Sequence, residues 1–421
     1  MKYSGIEWIG EIPDKWKLNK IGQLFNLRNE KVSDKDYSPL SVSKSGIVPQ
    51  LENVAKSDAS DDRKLVLKGD FAINSRSDRK MSCGVSPLDG SVSLINTILY
   101  PKNDDVIYNN YMNYLLKNYG FAEEFYRWGH GIVADLWTTK WQEMKSIMLP
   151  LPSAKKQKAT YDFLNQKTAE IDSLIEIEIQ QIKKLKEYVE SSIYEYLKKE
   201  LGVSINDMSF ESRTSMKKIG ALSNLVTKQT GFDYSNTIKP TMLDSPNEDS
   251  LPYLQTRNFK NNYFNLNTEF YVPKSTWEQF PKLILDDETL LFSIVGASIG
   301  NVAIFPKSEK AFLGGAICRV NLVDKEYALF IKEIMLSKFG QEQINRKINS
   351  NAQGTITVQN VRDFLIPIPS KKDAVRIGLK CESKRKEVDD LIAIKEKKID
   401  ELTEYKKSLI YEYVTGKKEV C

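Results

Sequence analysis

The chain has 421 residues, of which 41% are hydrophobic and 28% are charged, and its formal net charge is +5. This length predicts two or three domains, and this composition is typical of a folded globular protein. The longest apolar runs, such as residues 290–294, are too short to cross a bilayer, and the N-terminus lacks the features of a signal peptide. We therefore expect a cytoplasmic protein without a membrane partner.

Histidine and cysteine usage argues against most catalytic and metal sites. His130 is the single histidine, and the four cysteines are far apart and form no CxxC pair. A catalytic triad or a His-rich metal centre is therefore not expected, and we predict no cofactor and no metal. Basic and acidic residues are nearly balanced along the chain. A nucleic-acid site would therefore need local clusters of basic residues or help from a partner.

An internal repeat at an offset of 217 residues is the main feature of the sequence. Residues 149–153 return as 366–370, and residues 170–175 return as 387–392. Between 167–196 and 384–413, 15 of 30 aligned positions are identical without a gap. A weaker similarity links residues 20–24 with 218–222. The two halves thus begin alike, diverge in the middle and end alike, which indicates one scaffold that presents two different surfaces.

The repeated ends are predicted to be long helices. In the first, apolar residues follow the 4-3 spacing of a coiled-coil seam, with Glu178 and Ser192 in the same register. The seam positions are Ile171, Ile175, Ile182, Leu185, Val189 and Tyr196, and in the second helix Val388, Ile392, Ile399, Leu402, Leu409 and Tyr413. Lys395 and Lys406 interrupt the second seam. We expect the two helices to pack antiparallel about a pseudo-twofold axis; a simple coiled-coil hairpin or a dimerisation device are the alternatives.

The remaining regions mix short strand-like runs with turn signals. Helical patterns are clearest at residues 110–126 and 328–349. The predicted fold class is therefore α+β, with two α/β domains joined by two long antiparallel coiled-coil helices. We place the domains at 1–152 and 204–369, and the helical spacers at 153–203 and 370–421.

Several motifs resemble those of type I restriction–modification specificity subunits. The chain opens with Ser-Gly-Ile-Glu-Trp-Ile-Gly-Glu-Ile-Pro at residues 4–13, followed by Trp16. A Pro-x-Pro-Ser motif precedes each long helix, and a Tyr-Glu-Tyr lies near each helix end. The resemblance covers essentially the whole chain. It implies that each variable domain is a target-recognition domain that reads one half of a split sequence in double-stranded DNA.

The same resemblance implies the partners and the division of labour. In this family the helices set the spacing of the two half-sites and dock two DNA methyltransferase subunits, and restriction endonuclease subunits join that core. Methylation and cleavage belong to the partners, so the subunit is not an enzyme. This chain indeed has no Asn-Pro-Pro-Tyr or Asn-Pro-Pro-Phe motif and no GxxxxGK[ST] loop. Gly296 and Gly300 indicate a tight turn at a DNA-facing or sheet-edge loop rather than a nucleotide loop.

Loops that mix basic, amide and small residues are the predicted DNA contacts, because they can follow phosphates and reach base edges. In the first domain they are residues 74–80 and 126–131, with two further phosphate contacts. The candidates there are Lys44, Ser75, Arg76, Arg79, Lys80, Arg127, His130 and Lys140. In the second domain the candidates are Lys228, Gln229, Thr230, Arg257, Asn258, Arg346, Lys347, Asn351 and Gln353. The offset of 217 pairs Thr138 with Thr355, so the loops before these residues are predicted to be equivalent.

Three other functions are compatible with parts of the pattern. The chain could be a DNA-binding adaptor of another defence system, or a coiled-coil scaffold protein with two domains that bind ligands other than DNA. A nuclease is the third alternative, and the single histidine and the missing motifs argue against it.

Overall fold

The computed structural model describes residues 1–50, 62–131, 137–202, 215–260, 263–348 and 354–420. The chain divides into two compact units. The first consists of Met1–Ile179 and Glu396–Cys421, and the second of Gln180–Lys395. Each of the two long helices, α5 (Ala154–Leu201) and α12 (Lys371–Val414), therefore contributes one part to each unit.

The first unit is a mixed strand and helix domain. Its strands are β1 (Lys2–Tyr3), β2 (Glu11–Ile12), β3 (Lys17–Lys20), β4 (Phe25–Arg28), β5 (Lys31–Val32), β6 (Leu40–Ser43), β7 (Gly46–Pro49), β8 (Arg63–Val66), β9 (Phe71–Asn74), β10 (Cys83–Val85), β11 (Gly90–Ser93), β12 (Asn96–Pro101) and β13 (Met148–Leu151). Its short helices are α1 (Ile21–Leu24), α2 (Met112–Leu115), α3 (Tyr119–Arg127) and α4 (Trp141–Met144). The main sheet is antiparallel, in the order β10-β9-β12-β4.

The side chains of β9 alternate between two apolar clusters, as the two-residue period of a strand requires. Phe71 and Ile73 belong to the larger cluster, while Ala72 belongs to a smaller one. Both faces of this sheet are thus covered, which explains why the central strands are apolar throughout.

The second unit repeats this plan with different lengths. Its strands are β14 (Ser215–Lys218), β15 (Ser223–Lys228), β16 (Leu251–Leu254), β17 (Phe259–Lys260), β18 (Tyr263–Phe264), β19 (Tyr271–Val272), β20 (Ile284–Leu285), β21 (Thr289–Ser293), β22 (Val302–Phe305), β23 (Ala311–Leu313), β24 (Ile317–Leu322) and β25 (Leu365–Ile368). Its short helices are α6 (Ile219–Leu222), α7 (Gly231–Asp233), α8 (Lys274–Trp277), α9 (Ala328–Leu336), α10 (Lys338–Asn345) and α11 (Val358–Asp363). The main sheet has the order β22-β21-β24-β15. This order corresponds strand for strand to β10-β9-β12-β4.

The repeat predicted from the sequence is present in the secondary structure. Strands β13 and β25 begin 217 residues apart, as do α4 and α11, and α5 and α12. Near the start of each half, α1 and α6 are 198 residues apart. The mixed α and β fold class with two long helices is confirmed. The predicted division into two domains and two helical spacers stays a prediction, since each compact unit includes part of both long helices.

Two predicted helices are each divided in two. Residues 110–126 form α2 and α3, because the side chain of Asn118 accepts a hydrogen bond from the Phe121 amide and starts a new helix. Residues 328–349 form α9 and α10, with Ser337 between them in an extended conformation. The apolar spacing continues across both breaks, so periodicity alone did not reveal them.

The seam between the long helices is partly apolar and partly polar. In the first unit Ile171 is buried, and Glu178, at 6% exposure, lies 2.6 Å from Lys398. Lys406, which interrupts the predicted seam, lies 2.6 Å from Asp172. In the second unit Arg385 lies 2.8 Å from Glu190 and Arg376 lies 2.7 Å from Glu200. Within each unit, rising numbers on one helix meet falling numbers on the other, so the helices run antiparallel.

The predicted seam changes register near the end of α5. Ile193 and Leu197 are buried there rather than Ser192 and Tyr196, which gives steps of four residues from Val189 to Leu201. These side chains join the apolar core of the second unit. Packing against a domain follows the 3.6-residue period of a straight helix, whereas a coiled-coil seam follows 3.5.

Within the described residues, no helix is long and apolar enough to cross a membrane. The same residues contain no group of three or more His, Cys, Asp or Glu side chains that could hold a metal ion.

Candidate nucleic-acid interface

The first unit brings two of its predicted loops together. The backbone of Thr138 pairs with that of His130 and also with that of Arg76. The Thr139 amide donates to the Ser75 carbonyl at 3.0 Å. Arg76, Arg79 and His130 are exposed. The 74–80 loop and the 126–131 loop therefore form one edge at which two arginines and the histidine face solvent.

Ser75 differs from its neighbours because its hydroxyl is used inside the domain. It is 3% exposed and lies 3.0 Å from the Thr97 hydroxyl. Ser75 is therefore suited to holding the Arg76 loop in place rather than to touching DNA.

The cations of this edge have acidic neighbours. Lys80 lies 2.8 Å from Glu123, Arg127 lies 3.1 Å from Glu7, and Arg79 lies 3.5 Å from Asp78. Lys80, Arg127 and Glu123 also line a cavity of about 630 Å³. All three pairs are exposed, and exposed pairs contribute only about 0–1 kcal/mol. Lys80 and Arg79 can therefore exchange their carboxylates for phosphates at little cost, whereas Arg127 also lies 2.5 Å from the buried Glu124.

The two remaining candidates of this unit lie outside the bridge. Lys140 is exposed and immediately precedes α4, two residues after Thr138. Lys44 is exposed in the turn between β6 and β7. In the described part of the chain, no hydrogen bond joins Lys44 to Arg76, Arg79 or His130.

The second unit has the same edge with different side chains. The backbone of Val295 pairs with that of Thr355, which corresponds to the bridge between Arg76 and Thr138. A 3-10 turn at Gly296–Ser298 follows, as Ser77–Arg79 follows Arg76. Gly296 and Gly300 have φ angles of +74° and +97°, which favour glycine. The tight turn predicted here is confirmed, and it carries no cation.

The basic candidates of the second unit form two groups. One follows α10, and the other lines a separate cavity. Arg346 directly follows α10 and lies 3.1 Å from Glu342, and Lys347 beside it is exposed. The predicted contacts Asn351 and Gln353 lie outside the described residues.

Four predicted residues of the second unit meet at a cavity of about 700 Å³. Its lining includes Lys228, Gln229, Thr230 and Arg257. Lys228 and Thr230 are exposed, whereas Gln229 is 2% exposed. Arg257 forms a bidentate pair with Glu269, with N–O distances of 3.0 and 3.3 Å.

Asn258 has an internal role that its residue type does not reveal. It is 4% exposed, and its side chain donates to the Asn265 carbonyl at 2.9 Å and accepts from the Gln255 amide at 2.8 Å. These bonds fix the turn that carries Arg257, so we assign Asn258 to positioning rather than to DNA contact.

Two tyrosines and one phenylalanine of this region were not predicted. Tyr253 and Tyr234 line the cavity, and burial raises the pKa of Tyr253 to about 12. The Tyr253 hydroxyl therefore stays protonated and donates to Gln229 Oε1 at 2.8 Å. Phe232 is 76% exposed. In the sequence, the indication of such a residue is that Phe232 directly follows the turn formed by Thr230 and Gly231.

Residues 217–404, a little under half of the chain, match the family model of the type I restriction modification DNA specificity domain. Residues 217–404 therefore form a type I restriction modification DNA specificity domain. The main sheet of the first unit repeats the strand order of this matched region, and α1 and α4 correspond to α6 and α11.

Solved structures of specificity subunits and their complexes resemble this one. A chain from a structure of the type I R-M system, solved to explain complex assembly and conformational transition, has a TM-score of 0.69 and 11% identity, and the match covers 96% of this chain and 98% of that chain. The HsdS subunit from Thermoanaerobacter tengcongensis gives 0.46 with 14% identity over 99% of both chains. The S subunit of a type I system from M. genitalium gives 0.38 with 14% identity, over 96% and 98%. The first of these structures shares its fold with this chain. No curated protein sequence matches the chain.

Proposed function

We propose that the chain is a type I specificity subunit that reads a bipartite target in double-stranded DNA, with one half-site for each unit. The observation that carries the proposal is the duplicated sheet edge with different side chains. Arg76 occupies the place in the first unit that Val295 occupies in the second. Two similar scaffolds with unlike edges are suited to reading two unlike half-sites.

The first unit would read its half-site with the edge formed by residues 74–80 and 126–131. Arg76 and Arg79 are the candidates for base contacts, because a guanidinium can pair with guanine through two hydrogen bonds. Lys44, Lys80, Arg127, His130 and Lys140 are the candidates for phosphate contacts. The second unit would use Lys228, Thr230 and Arg257 around its cavity, together with Arg346 and Lys347 and the predicted contacts Asn351 and Gln353.

The partners follow from the family and from the repeated helices. We assign the chain to a complex with DNA methyltransferase and restriction endonuclease subunits, and we propose that two methyltransferase subunits bind. Identity at 15 of 30 positions between 167–196 and 384–413 supports two similar docking surfaces, since equal surfaces bind equal partners. Methyl transfer and cleavage are assigned to those partners, and we place the complex in the cytoplasm, where it can reach DNA.

The test is methylome sequencing of a host that expresses this chain with its methyltransferase, beside a host that expresses the methyltransferase alone. We expect methylated sites with two fixed half-sites and a constant gap, and only when both proteins are present. Native mass spectrometry of the purified complex should show two methyltransferases for each chain. A contiguous target would contradict two separate readers, and a saturated 1:1 complex would contradict the duplicated docking surface.

A further inference from the structure

The cavity of the second unit contains a buried hydrogen-bond donor without a partner. Gln229 is 2% exposed, and its Oε1 accepts from the Tyr253 hydroxyl at 2.8 Å. Among the described residues, no atom accepts a hydrogen bond from its Nε2. Buried polar groups are almost always paired in folded proteins, so an unpaired amide in a cavity wall indicates a missing ligand. The ligand must supply an acceptor, such as a carbonyl oxygen or a ring nitrogen.

The same cavity has an aromatic wall. The rings of Tyr234 and Tyr253 lie 6.2 Å apart with an interplanar angle of 23°, and Phe312 continues the series at 6.5 Å and 26°. Tyr234 is half-buried and lines the cavity at the end of this series. A planar ring that enters the cavity can stack on it. The exposed cation of Lys228 on the same lining suits a phosphate.

A nucleobase within a duplex cannot both stack on Tyr234 and accept a hydrogen bond from Gln229 Nε2. Its two faces are covered by neighbouring bases, and only its edge is available in a groove. A base taken out of the stack offers a free face and its Watson–Crick edge together. The cavity volume of about 700 Å³ is sufficient for one nucleotide.

A second observation is independent of the cavity. Phe232 is 76% exposed and lies two residues after Thr230 and one after Gly231, both of which line the cavity. Exposed apolar side chains of DNA-binding proteins can enter the base stack as wedges. Phe232 is placed to fill the space that an extruded nucleotide leaves.

We propose that the second unit extrudes one nucleotide of its half-site into this cavity, where Tyr234 stacks on the base, Gln229 Nε2 donates to it, and Phe232 fills the gap in the duplex. The proposal rests on DNA reading by the second unit as set out above. It applies to this unit alone, because the 198-residue offset places Glu30, Lys31 and Val32 where Lys228, Gln229 and Thr230 stand.

The test is a mismatch scan with the complete methyltransferase complex, after its target has been identified. At each position of the half-site read by the second unit, the base that would be extruded is kept. Only its partner on the complementary strand is changed, so that the base pair is lost. Extrusion then costs less, and we expect about tenfold tighter binding at one position that is not the methylated adenine. A base that is read within the duplex would instead give weaker or unchanged binding.

Two variants and a control assign the gain to the cavity. Phe232→Ala changes an exposed side chain, and Gln229→Leu removes the buried donor at similar volume; both should abolish the gain. Val323→Ala should keep it, because Val323 is a comparable exposed apolar residue, 72% exposed, that follows β24; its amide donates to the Leu222 carbonyl, just before the end of β15 that is opposite Lys228. Unchanged affinity for the first half-site serves as the folding check for each variant.

The outcomes are distinct. Normal sequence-specific binding without a gain at any position overturns the extrusion and leaves the proposed function intact. A gain that persists in both variants also overturns it. Binding of free nucleoside monophosphates by the DNA-free complex, lost in Gln229→Leu, together with a silent mismatch scan, would assign the cavity to a free nucleotide and overturn the extrusion. Absence of any specific DNA binding would overturn the proposed function and this inference together.

Discussion

The backbone of Arg76 pairs with that of Thr138, although the two residues are far apart in the chain. Because Thr138 also pairs with His130, one residue holds both predicted DNA-contacting loops of the first unit at the same edge. The corresponding bridge of the second unit joins Val295 to Thr355. Both units therefore hold this loop by the same backbone bridge but present a different side chain there.

Removing the arginines of the first edge should affect one half-site only. For Arg76→Ala with Arg79→Ala we expect a loss of about 1–3 kcal/mol of discrimination for each guanine contact that is removed. Arg257→Ala should affect the other half-site, and so serves as the reciprocal control. Competition binding with duplexes altered in one half-site at a time is the measurement. Equal losses at both half-sites from either variant would contradict separate readers.

The repeat explains why so much of the fold was predictable. Identical residues at identical spacing, such as Pro150, Pro152 and Ser153 in the first half and Pro367, Pro369 and Ser370 in the second, precede the same long helix in both halves. The two-residue and 3.5-residue periods then identify which side chains face the core.

The cavity could not be predicted from the sequence, because it depends on contacts between two different sheets. Tyr253 reaches Gln229 over 24 residues, and the Gly315 amide donates to the Tyr253 hydroxyl over 62 residues. Nothing in the local sequence specifies that register. Ser75 and Asn258 illustrate the same point, because polar residues in a loop are equally compatible with exposure and with an internal hydrogen bond, and only the packing of the domain decides.

A buried ion pair that links three helices of the second unit should contribute to the stability of the fold. Arg385, from α12, lies 3.1 Å from Glu333 of α9 and 2.8 Å from Glu190 of α5, and Glu333 is fully buried. Arg385→Met should lower the free energy of unfolding by about 3 kcal/mol, because it removes one partner of a buried carboxylate and leaves Lys332, 3.3 Å away, as the remaining cation beside it. Urea denaturation followed by circular dichroism is the measurement.

Two comparison variants separate charge pairing from simple loss of a side chain. Arg385→Met combined with Glu333→Leu should recover most of the stability, since the buried carboxylate is removed with its partner and Lys332 keeps Glu382 at 3.0 Å. Lys397→Ala breaks an exposed pair with Glu401 on the same helix and should cost about 0.5 kcal/mol or less. A loss of similar size for Arg385→Met and Lys397→Ala would show that the buried pair is not important for stability.

The buried thiols should be unreactive in the folded protein. Burial raises the pKa of Cys83, Cys318 and Cys381 from an ordinary value near 9 to about 12. In a Cys421→Ser variant, iodoacetamide at about pH 8 should therefore modify no thiol of the native chain and all three after unfolding, as read by mass spectrometry. Modification of the native chain at a rate close to that of the unfolded chain would contradict the burial.

The direction of the thiol pKa shifts also fixes a dependence of stability on pH. The folded state holds these protons more tightly than the unfolded state. Their contribution to stability is therefore complete below about pH 9 and is lost as the pH rises from about 9 to 12. Replacement of the three cysteines by alanine should flatten this part of the stability profile.

Lengthening both long helices by one heptad should change the gap between the half-sites and leave the half-sites themselves unchanged. The insertions belong after Lys186 in α5 and after Asp390 in α12, because the pairs Glu190–Arg385 and Gln181–Lys395 flank these points on the two helices. Seven residues add about 10 Å of helix at 1.5 Å per residue and keep the seam in register. At about 3.4 Å per base pair, the preferred gap should increase by roughly 3 base pairs. Three base pairs also turn the second half-site by about 100° around the duplex axis, since one turn takes about 10–10.5 base pairs. We therefore expect weaker binding together with the longer gap, and methylome sequencing of a host that expresses the variant measures both.

A heptad in α5 alone is the matched control: it adds the same residues but moves Glu190 away from Arg385, and it should abolish methylation rather than shift the gap. An unchanged gap with full activity in the doubly extended variant would show that the helices do not set the spacing of the target.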